Sequence, residues 1–300
     1  MNYSSLRKGI LLAGGKGTRL APLTSAFSKQ LMPVYDKPMI YYSITTLMLC
    51  GIKKILIISD PENIDLYFRL LGNGDKWGIE LSYAIQENPE GVAQSVLIGE
   101  EFIDSSHIAI ALGDNIFHGN EFIPLLRSAD TLKKGSTVFA YPVRDPENYG
   151  VLSFDDSGSV VGIEEKPEKP PSQYALTGLY FYDNTVVEKA KELTFSARGE
   201  LEISDLNIKY LNDKLLNINI MGRGIAWLDT GTIDSLQEAS QYIRTLEHRQ
   251  GLKIGCPEEV AWRQGWINDQ QLEKLAANLL KSSYGEYLTK ILELNIKDGI

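Results

Sequence analysis

Short, unbroken apolar runs alternate along the first half of the chain with longer segments of helical composition. The runs cover residues 9–13, 55–58 and 108–112, and each is predicted to be a strand buried on both faces. Residues 38–50 and 91–102, between these runs, have the length and residue types of crossover helices. The alternation predicts a doubly wound α/β sheet, in which ligands bind beyond the carboxyl ends of the strands.

The pattern changes after residue 136. Predicted strands cover residues 137–141, 151–154, 160–164 and 176–182, and turn-rich or proline-rich segments separate them. We interpret them as an inserted mixed sheet, within about residues 137–225, that covers one end of the core.

The last seventy residues are predicted to be helical, because apolar residues recur there at helical spacing. The three apolar stripes are Ile233, Leu236, Ile243 and Leu246; then Leu272, Leu275, Ala276, Leu279 and Leu280; then Tyr284, Tyr287, Leu288, Ile291 and Leu292. They are interpreted as packing surfaces, either on the core or on another subunit. We therefore divide the chain into a core, 1–232, which includes the insertion, and a helical segment, 233–300.

Charge and composition exclude several classes of protein. The 300 residues contain 30 Lys and Arg against 39 Asp and Glu, a net charge of −9, which disfavours a broad basic face for nucleic acid. Two cysteines and three scattered histidines predict neither a disulfide framework nor a zinc site. No run approaches the roughly 20 apolar residues of a membrane span, and the N-terminal run is too short for a signal peptide. We expect a soluble, cytoplasmic protein without nucleic-acid or membrane partners.

A glycine-rich turn follows the first predicted strand, in the sequence LLAGGKGTRL at residues 11–20. Its three glycines permit a tight turn whose amides point at an anion, as in a phosphate cradle. The turn is not a Walker loop, and Leu20 replaces the last glycine of a dinucleotide fingerprint. A dehydrogenase also needs an acidic residue ending a second strand, whereas Asp36 lies where we predict no strand. A turn without a ligand stays possible, although Arg19 and Lys29 flank it with two cations.

Two aspartates end short apolar runs. Asp114 follows residues 108–112, and Asp229 follows residues 226–228. A carboxylate at such a position points into the ligand crevice, and two carboxylates near phosphates suit Mg²⁺. Each aspartate taken singly is equally consistent with a helix cap or a turn.

Seven short motifs follow one another along the chain in the same order as the motifs of a known family. They are GGKGTRL at 14–20, SKQLMP at 28–33, LGDN at 112–115, NYGV at 148–151, EEKP at 164–167, RGELE at 198–202 and WLDTG at 227–231. Together they resemble the sugar-1-phosphate nucleotidyltransferase family, most closely its members that use dTTP and glucose 1-phosphate. The resemblance covers residues 8 to about 295. It implies a Rossmann-like doubly wound mixed sheet with an inserted β-rich sugar-binding part and C-terminal helices, and a homotetramer.

The resemblance also implies an activity and a set of site residues. The activity is the Mg²⁺-dependent formation of dTDP-glucose and pyrophosphate, the first step of dTDP-rhamnose or other deoxysugar synthesis. The implied nucleotide-binding residues are Leu12, Gly14, Gly15, Arg19, Lys29, Gln86, Pro89, Gly91 and Asp114. Of these, Gln86, Pro89 and Gly91 match the family's base-reading segment, and Asp114 and Asp229 match its metal ligands. The implied sugar-phosphate residues are Asn115, Tyr149, Gly150, Glu165, Lys166, Leu176 and Trp227. Arg19, Lys29, Asp114 and Lys166 are the implied catalytic residues.

A regulatory nucleotide site between subunits is implied as well. Its residues would be Gly119, Ile254, Glu259, Val260 and Arg263. The chain has FHGN at 117–120 where the family usually has FYGH, so catalysis is predicted more firmly than regulation.

Three other functions are left open. One is the same reaction with UTP or another sugar 1-phosphate, since a single methyl group separates dTTP from dUTP. Another is a non-catalytic regulatory homologue, which is less favoured because Arg19, Lys29, Asp114 and Asp229 are all present. The third is a nicotinamide dehydrogenase, which the missing glycine and acidic residue argue against.

Overall fold

Apolar runs form the strands of one large sheet. The computed structural model describes residues 5–294. Its strands are β1 Lys8–Leu12, β2 Pro33–Val34, β3 Lys37–Pro38, β4 Lys54–Ser59, β5 Glu80–Ile85, β6 Ile108–Leu112, β7 Asn115–Gly119, β8 Ser136–Pro142, β9 Gly150–Phe154, β10 Val160–Glu165, β11 Tyr174–Tyr182, β12 Leu216–Ile220 and β13 Ile225–Asp229. Its α-helices are α1 Ile40–Leu49, α2 Ile64–Leu71, α3 Gln94–Ile98, α4 Glu100–Ile103, α5 Phe122–Asp130, α6 Val186–Lys191, α7 Ile203–Asn212, α8 Ile233–Gln250, α9 Pro257–Arg263, α10 Asp269–Ala277 and α11 Ser283–Glu293.

The central sheet has nine strands, of which seven follow the order β10-β9-β11-β6-β1-β4-β5. Strand β1 pairs in parallel with β4 on one side and with β6 on the other. The chain therefore winds outward from β1 in both directions, so the edge where β1 and β6 end is a topological switch point. The predicted doubly wound α/β fold is confirmed.

The predicted strands of the insertion are continuous with this sheet. Strand β11 pairs antiparallel with β6, β8 and β9, and β12 adds in parallel to β8. The insertion thus extends the edge of the core sheet beyond β6, and places its own polar residues at the end where β6 terminates.

Alternation along the inner strands buries both faces of the sheet. Leu11 lies in one apolar cluster and Ile10 in another, and β4 and β6 alternate in the same way. Helices α1, α2, α5, α9, α10 and α11 cover the first face, and α3, α4, α6 and α7 cover the second. Helix α8 packs in a third cluster, beside Leu20, Met32 and Ile116.

Three predictions differ in detail from the structure. The helix predicted over 91–102 is interrupted at Gly99, between α3 and α4. The apolar stripe predicted to continue through Leu279 and Leu280 stops within α10, which ends at Ala277, and both leucines are exposed. The segment around Asp36, where no strand was predicted, forms the β2–β3 hairpin, and Asp36 lies at its turn. Within residues 5–294, no helix is both long enough and apolar enough to cross a membrane.

Candidate functional site

The glycine-rich turn leaves β1 at the switch point. Gly15 and Gly17 have φ angles of +100° and +56°, a backbone region that favours glycine. Buried side chains fix the start of the turn, since Tyr67 donates its hydroxyl to the carbonyl of Ala13 and Gln30 donates its amide to that of Gly14 (3.1 and 3.3 Å). Tyr67 and Gln30 therefore fix the start of the turn from its buried side, and the amides of the turn lie at the edge of the sheet.

Lys29 and Asp114 form an ion pair across this edge. Lys29 lies in the 3₁₀ turn Lys29–Leu31, and Asp114 follows β6 directly. Both side chains are mostly buried, and Lys29 also donates a hydrogen bond to the Asp114 carboxylate. Burial alone would raise the pKa of Asp114, but the charge and hydrogen bond of Lys29, together with the hydrogen bond from Asn115, outweigh it and hold that pKa below its ordinary value. Asp114 is therefore a fixed anion at the floor of the crevice.

Asp229 lies beside Asp114 because β13 pairs antiparallel with β7, which places Asp229 opposite Asn115. The next residue, Thr230, donates its amide and its hydroxyl to the Asp114 carbonyl (3.1 and 2.8 Å). Burial, followed by the charge of Asp114, raises the pKa of Asp229 to about 6, although Lys29 and Arg19 oppose the shift. The two carboxylates repel each other at the same point of the crevice.

The residues present fit a divalent cation at this point. Among the described residues no three His, Cys, Asp or Glu side chains group as a complete metal site. Two carboxylates are nevertheless what Mg²⁺ takes from a protein when substrate phosphates and water supply its other ligands. A cation held between Asp114 and Asp229 would also offset the repulsion by Asp114, which adds to burial in raising the pKa of Asp229.

Arg19 extends over the turn that follows Asp229. A Cβ built at Gly231 would lie 2.7 Å from the Arg19 guanidinium nitrogen, so Arg19 passes close over the backbone there and would have to shift for a side chain. Arg19 itself is exposed. It is thus free to turn toward an anion that enters the crevice.

The segment predicted to read the base follows β5. Gln86 is buried, and a Cβ on Gly14 would lie 2.6 Å from its Oε1 atom, so this amide rests against the glycine-rich turn. Gly91 has a φ of +102° and lies against the backbone of Leu201. Leu201 also donates to the carbonyl of Glu90 (2.7 Å), while the neighbouring Pro89 is exposed. This clasp between Gly91 and Leu201 joins the base segment to the insertion.

Aromatic rings line the other side of the crevice. The rings of Tyr149 and Trp227 lie 5.1 Å apart, and Tyr149 shares a hydrogen bond with the carboxylate of Asp229. The indole of Trp227 donates to Oδ1 of Asn115 (2.6 Å), and the Asn115 amide donates to Asp114 (2.9 Å). Two of the predicted sugar-phosphate residues, Asn115 and Tyr149, are therefore bonded to the carboxylates, and Trp227 is connected to them through Asn115.

Glu165 and Lys166 end β10 at the same edge. Glu165 accepts a hydrogen bond from Ser204 (2.5 Å) and lies 3.4 Å from the guanidinium of Arg198. Burial raises the pKa of Glu165, although Ser204, Lys166 and Arg198 oppose the shift. The exposed Lys166 has a left-handed φ of +44°, and its amide donates to the carbonyl of Tyr149 (2.9 Å).

Gly150 and Leu176 complete this wall. Both are buried, and a Cβ on Gly150 would lie 2.7 Å from Ser204 Oγ, 3.2 Å from Glu165 and 3.8 Å from Leu176. A side chain at position 150 would therefore displace the carboxylate of Glu165.

The residues predicted for regulation lie in two places. Gly119 ends β7 and packs against Gly224 and Ile225. Ile254, Glu259, Val260 and Arg263 lie within or just before α9; the first three are buried in the chain and Arg263 is half-buried. Glu259 is bonded to Arg263 and to the Tyr287 hydroxyl (2.8 and 2.6 Å).

Several supporting residues were not predicted. Gln30 and Tyr67 hold the glycine-rich turn, Ser204 and Arg198 hold Glu165, and Gln94 contacts Gln86 (2.5 Å). Gln30 and Arg198 lie within the motifs and Ser204 lies two residues after one, which was the available signal. Tyr67 and Gln94 lie outside the motifs, and only the folded chain brings them to the site.

Comparison with known families agrees with this geometry. The profile of the Nucleotidyl transferase family matches residues 8–245. A glucose-1-phosphate thymidylyltransferase of Neisseria meningitidis is 54% identical over 286 residues, 95% of this chain and 99% of the relative. One from Xanthomonas campestris pv. campestris is 56% identical over 95% of this chain and 97% of the relative. One from Mycobacterium tuberculosis is 52% identical over 96% of this chain and 100% of the relative.

Solved structures show the same fold. A Bacillus anthracis protein assigned as a glucose-1-phosphate thymidylyltransferase, solved with sucrose, has a TM-score of 0.74 at 40% identity, over 79% of this chain and 95% of its own. A UDP-glucose pyrophosphorylase solved with UDP-glucose has a TM-score of 0.69 at 23% identity, over 80% of this chain and 99% of its own, a likeness of fold alone. The chain belongs to the nucleotidyl transferase family, among the glucose-1-phosphate thymidylyltransferases.

Proposed function

We propose that this protein transfers a thymidylyl group from dTTP to α-D-glucose 1-phosphate, giving dTDP-glucose and pyrophosphate. The observation that carries the proposal is the meeting of Arg19, Lys29, Asp114 and Asp229 beside a glycine-rich turn at the switch point. The names of relatives 52–56% identical over nearly the whole chain support the choice of substrates.

The reaction suits a site without a general base. A phosphate oxygen of the sugar phosphate, already anionic at neutral pH, attacks the α-phosphorus of the nucleotide. The bond between the α-phosphorus and its bridging oxygen breaks, and the electron pair leaves with pyrophosphate. The protein must therefore bring two anions together and stabilise the charge that develops, which is positioning and electrostatics.

Different residues of the crevice bind the two substrates. The amides of the glycine-rich turn and Arg19 hold the β- and γ-phosphates of the nucleotide, and Lys29 neutralises the departing pyrophosphate. Lys166 holds the attacking phosphate from the other wall. Removing one such preorganised charge commonly costs about 10²–10³ in rate.

Asp114 and Asp229 are the residues proposed to hold Mg²⁺. Once bound, the ion would neutralise charge on phosphate oxygens of both substrates. Asn115 orients this site rather than binding sugar directly, because its amide is bonded to Asp114 and its carbonyl accepts from Trp227 and from the amide of Gly178. Chelation of divalent cations is expected to stop turnover.

Sugar binding falls to the opposite wall. Glu165, held by Ser204, is placed to accept hydrogen bonds from sugar hydroxyls. Tyr149 and Trp227 offer ring faces, and Gly150 and Leu176 set the floor. Gln86, Pro89 and Gly91 form the base-binding segment, and Leu12 supports the nucleotide at the end of β1.

Further features belong to the same proposal. We assign catalysis to residues 1–232, including the insertion at about 137–225, and subunit and regulatory contacts to 233–300, of which 295–300 lie outside the described residues. A homotetramer is supported by the exposed Leu279 and Leu280 of the C-terminal segment.

Gly119, Ile254, Glu259, Val260 and Arg263 are the proposed regulatory residues, tested by titrating activity with dTDP-rhamnose. Cys50 and Cys256 are both free and buried, which suits the reducing cytoplasm.

Pyrophosphate release across a panel of nucleotides and sugar 1-phosphates tests the proposal. We expect dTTP with glucose 1-phosphate to give the highest kcat/KM, with dUTP or UTP next, because one methyl group is worth only about 1–3 kcal/mol. A clear preference for UTP or for another sugar phosphate would favour that related activity instead.

A further inference from the structure

Three side chains form a hydrogen-bonded chain behind the base-binding segment. Gln94, the first residue of α3, donates its amide nitrogen to the carboxylate of Glu90 (2.8 Å). The carbonyl oxygen of Gln94 accepts from the backbone amide of Glu90 (3.2 Å) and from the side-chain amide of Gln86 (2.5 Å). Gln86 is 4% exposed, so its rotation is limited to the space that these neighbours leave.

Glu90 fixes which end of the Gln94 amide faces which way. An amide side chain can turn over and exchange its oxygen for its nitrogen, and only its partners decide between the two. The backbone N–H of Glu90 can only donate, so it requires the Gln94 oxygen. The ionised Glu90 carboxylate can only accept, so it requires the Gln94 nitrogen. Both contacts select one orientation.

The fixed oxygen of Gln94 in turn fixes Gln86. That oxygen accepts hydrogen bonds, so Gln86 must present its amide nitrogen to it. The carbonyl oxygen of Gln86 consequently faces the glycine-rich turn, where it lies 2.6 Å from the Cβ that Gly14 lacks. The site thus presents an oriented acceptor with one amide hydrogen still free beside it.

This orientation distinguishes pyrimidines. Thymine and uracil present an N3–H donor next to a carbonyl, which match the oxygen and the free amide hydrogen of Gln86. Cytosine presents an unprotonated ring nitrogen next to an amino group, the reverse arrangement, and matches a Gln86 amide that has turned over. We propose that Glu90 and Gln94 are positioning residues that set the preference for thymine over cytosine by locking Gln86; this inference rests on the proposed function, in which Gln86 contacts the base.

The test compares kcat/KM for dTTP and dCTP with glucose 1-phosphate in two variants. Gln94→Leu removes the chain of hydrogen bonds, whereas Glu90→Gln keeps its shape and weakens the selection, because the carboxylate that requires the Gln94 nitrogen is lost and only the backbone amide of residue 90 still selects the orientation. We expect the ratio of dTTP to dCTP to fall about tenfold or more, because dTTP loses efficiency while dCTP is unchanged or improves. Glu87→Gln removes an exposed neighbouring carboxylate and is expected to keep the ratio of the unmodified protein.

If Glu90 and Gln94 had a purely structural role, the variants would lower kcat/KM for dTTP and for dCTP by the same factor. An unchanged ratio of the two kcat/KM values in folded Glu90→Gln and Gln94→Leu would therefore overturn the proposal. Thermal unfolding monitors folding, and the nearly isosteric Glu90→Gln carries the test if Gln94→Leu is unstable. Absence of dTTP turnover in the unmodified protein would count against the proposed function instead. Calorimetry then measures the affinity of the same variants for dTTP and for dCTP, and we expect the ratio of the two affinities to fall in the same way.

Discussion

Lys166 combines an unfavourable backbone with an exposed charge at the end of β10. A left-handed conformation costs a non-glycine residue about 1–2 kcal/mol, and no buried side-chain contact of Lys166 offsets it. A strained residue at a ligand crevice is a reason to expect a functional role. Lys166 directly follows Glu165, and its amide is bonded to the carbonyl of Tyr149, so it lies beside the residues predicted to bind the sugar phosphate.

We expect Lys166→Gly and Lys166→Ala to separate stability from activity. Glycine accepts the left-handed backbone, so Lys166→Gly should keep the free energy of unfolding of the unmodified protein or raise it by up to about 1 kcal/mol. Lys166→Ala keeps the strain and should not gain stability. Both should lose about 10²–10³ in kcat/KM. Calorimetry and a pyrophosphate assay measure the two effects, and near-normal turnover in either variant would contradict the role of Lys166.

Sequence reasoning reaches furthest at this scale where a residue type is tied to its chemistry. The glycines, Arg19, Lys29 and the two aspartates could be selected from their positions after predicted strands. The buried pairing of Lys29 with Asp114, 85 residues away, could not, because no local pattern encodes it. The same holds for the amide of Asn115, which binds Asp114 instead of standing free for sugar.

Among elements, the buried parallel strands were the most predictable. Their apolar runs are unbroken, and β6 was predicted at its observed bounds. Strand β5 has a weaker apolar pattern, because Ser82 and Ala84 interrupt its large apolar residues. The short helices α6 and α7 follow the last strand predicted in the insertion, 176–182, in a segment for which no element was predicted. The pairing of β11 with β6, which joins the insertion to the core, depends on contacts between distant segments, and no local pattern predicts it.

Asp183 anchors the far end of β11. Its carboxylate accepts hydrogen bonds from the amide of Gly135 (2.5 Å), from the amide and hydroxyl of Thr185 (3.0 and 2.6 Å) and from Tyr210 (3.0 Å). Burial alone would raise the pKa of Asp183, but these hydrogen bonds outweigh it and lower the pKa. The carboxylate thus ties β11 to the start of β8 and to α7.

We expect Asp183→Asn to destabilise the protein in a pH-dependent way. Because the folded pKa is lowered, the stabilisation is fully present above the ordinary pKa, near 4, and is lost as pH falls through the folded value. The loss should be about 2 kcal/mol at pH 7 and smaller near pH 3. Urea unfolding at both pH values measures it. As a control, Asp213→Asn removes an exposed ion-pair partner of Lys189 and should cost under about 1 kcal/mol of stability. An equal loss of stability at both pH values for Asp183→Asn would contradict this account.

At the scale of the whole molecule, an acidic protein carries cations at its ligand crevice. The net charge of −9 disfavours polyanions, whereas Arg19 and Lys29 lie close to Asp114 and Asp229 at one small site, to which we propose that Lys166 also contributes. Overall charge therefore bears on nucleic acid as a partner and not on a single nucleotide. The C-terminal helices leave Leu279 and Leu280 exposed, a surface suited to another subunit.

The proposed tetramer predicts a mass in solution of four times the 33.5 kDa chain. Leu280→Glu places a charge on the exposed apolar surface and should lower the mass measured by light scattering. Ile220→Glu, at a half-exposed position on β12 outside this segment, should leave the mass unchanged. A monomeric unmodified protein would contradict the assembly without affecting the assignment of the catalytic residues.

The most direct measurement is the formation of dTDP-glucose and pyrophosphate from dTTP and glucose 1-phosphate with saturating Mg²⁺, by the unmodified protein and by Asp114→Asn. Lys29 and Asp229 both depend on the charge of Asp114. We expect stoichiometric product from the unmodified protein and a loss of about 10²–10³ in the folded variant. Equal rates in the two proteins, or no dTDP-glucose from the unmodified protein, would contradict the central claim.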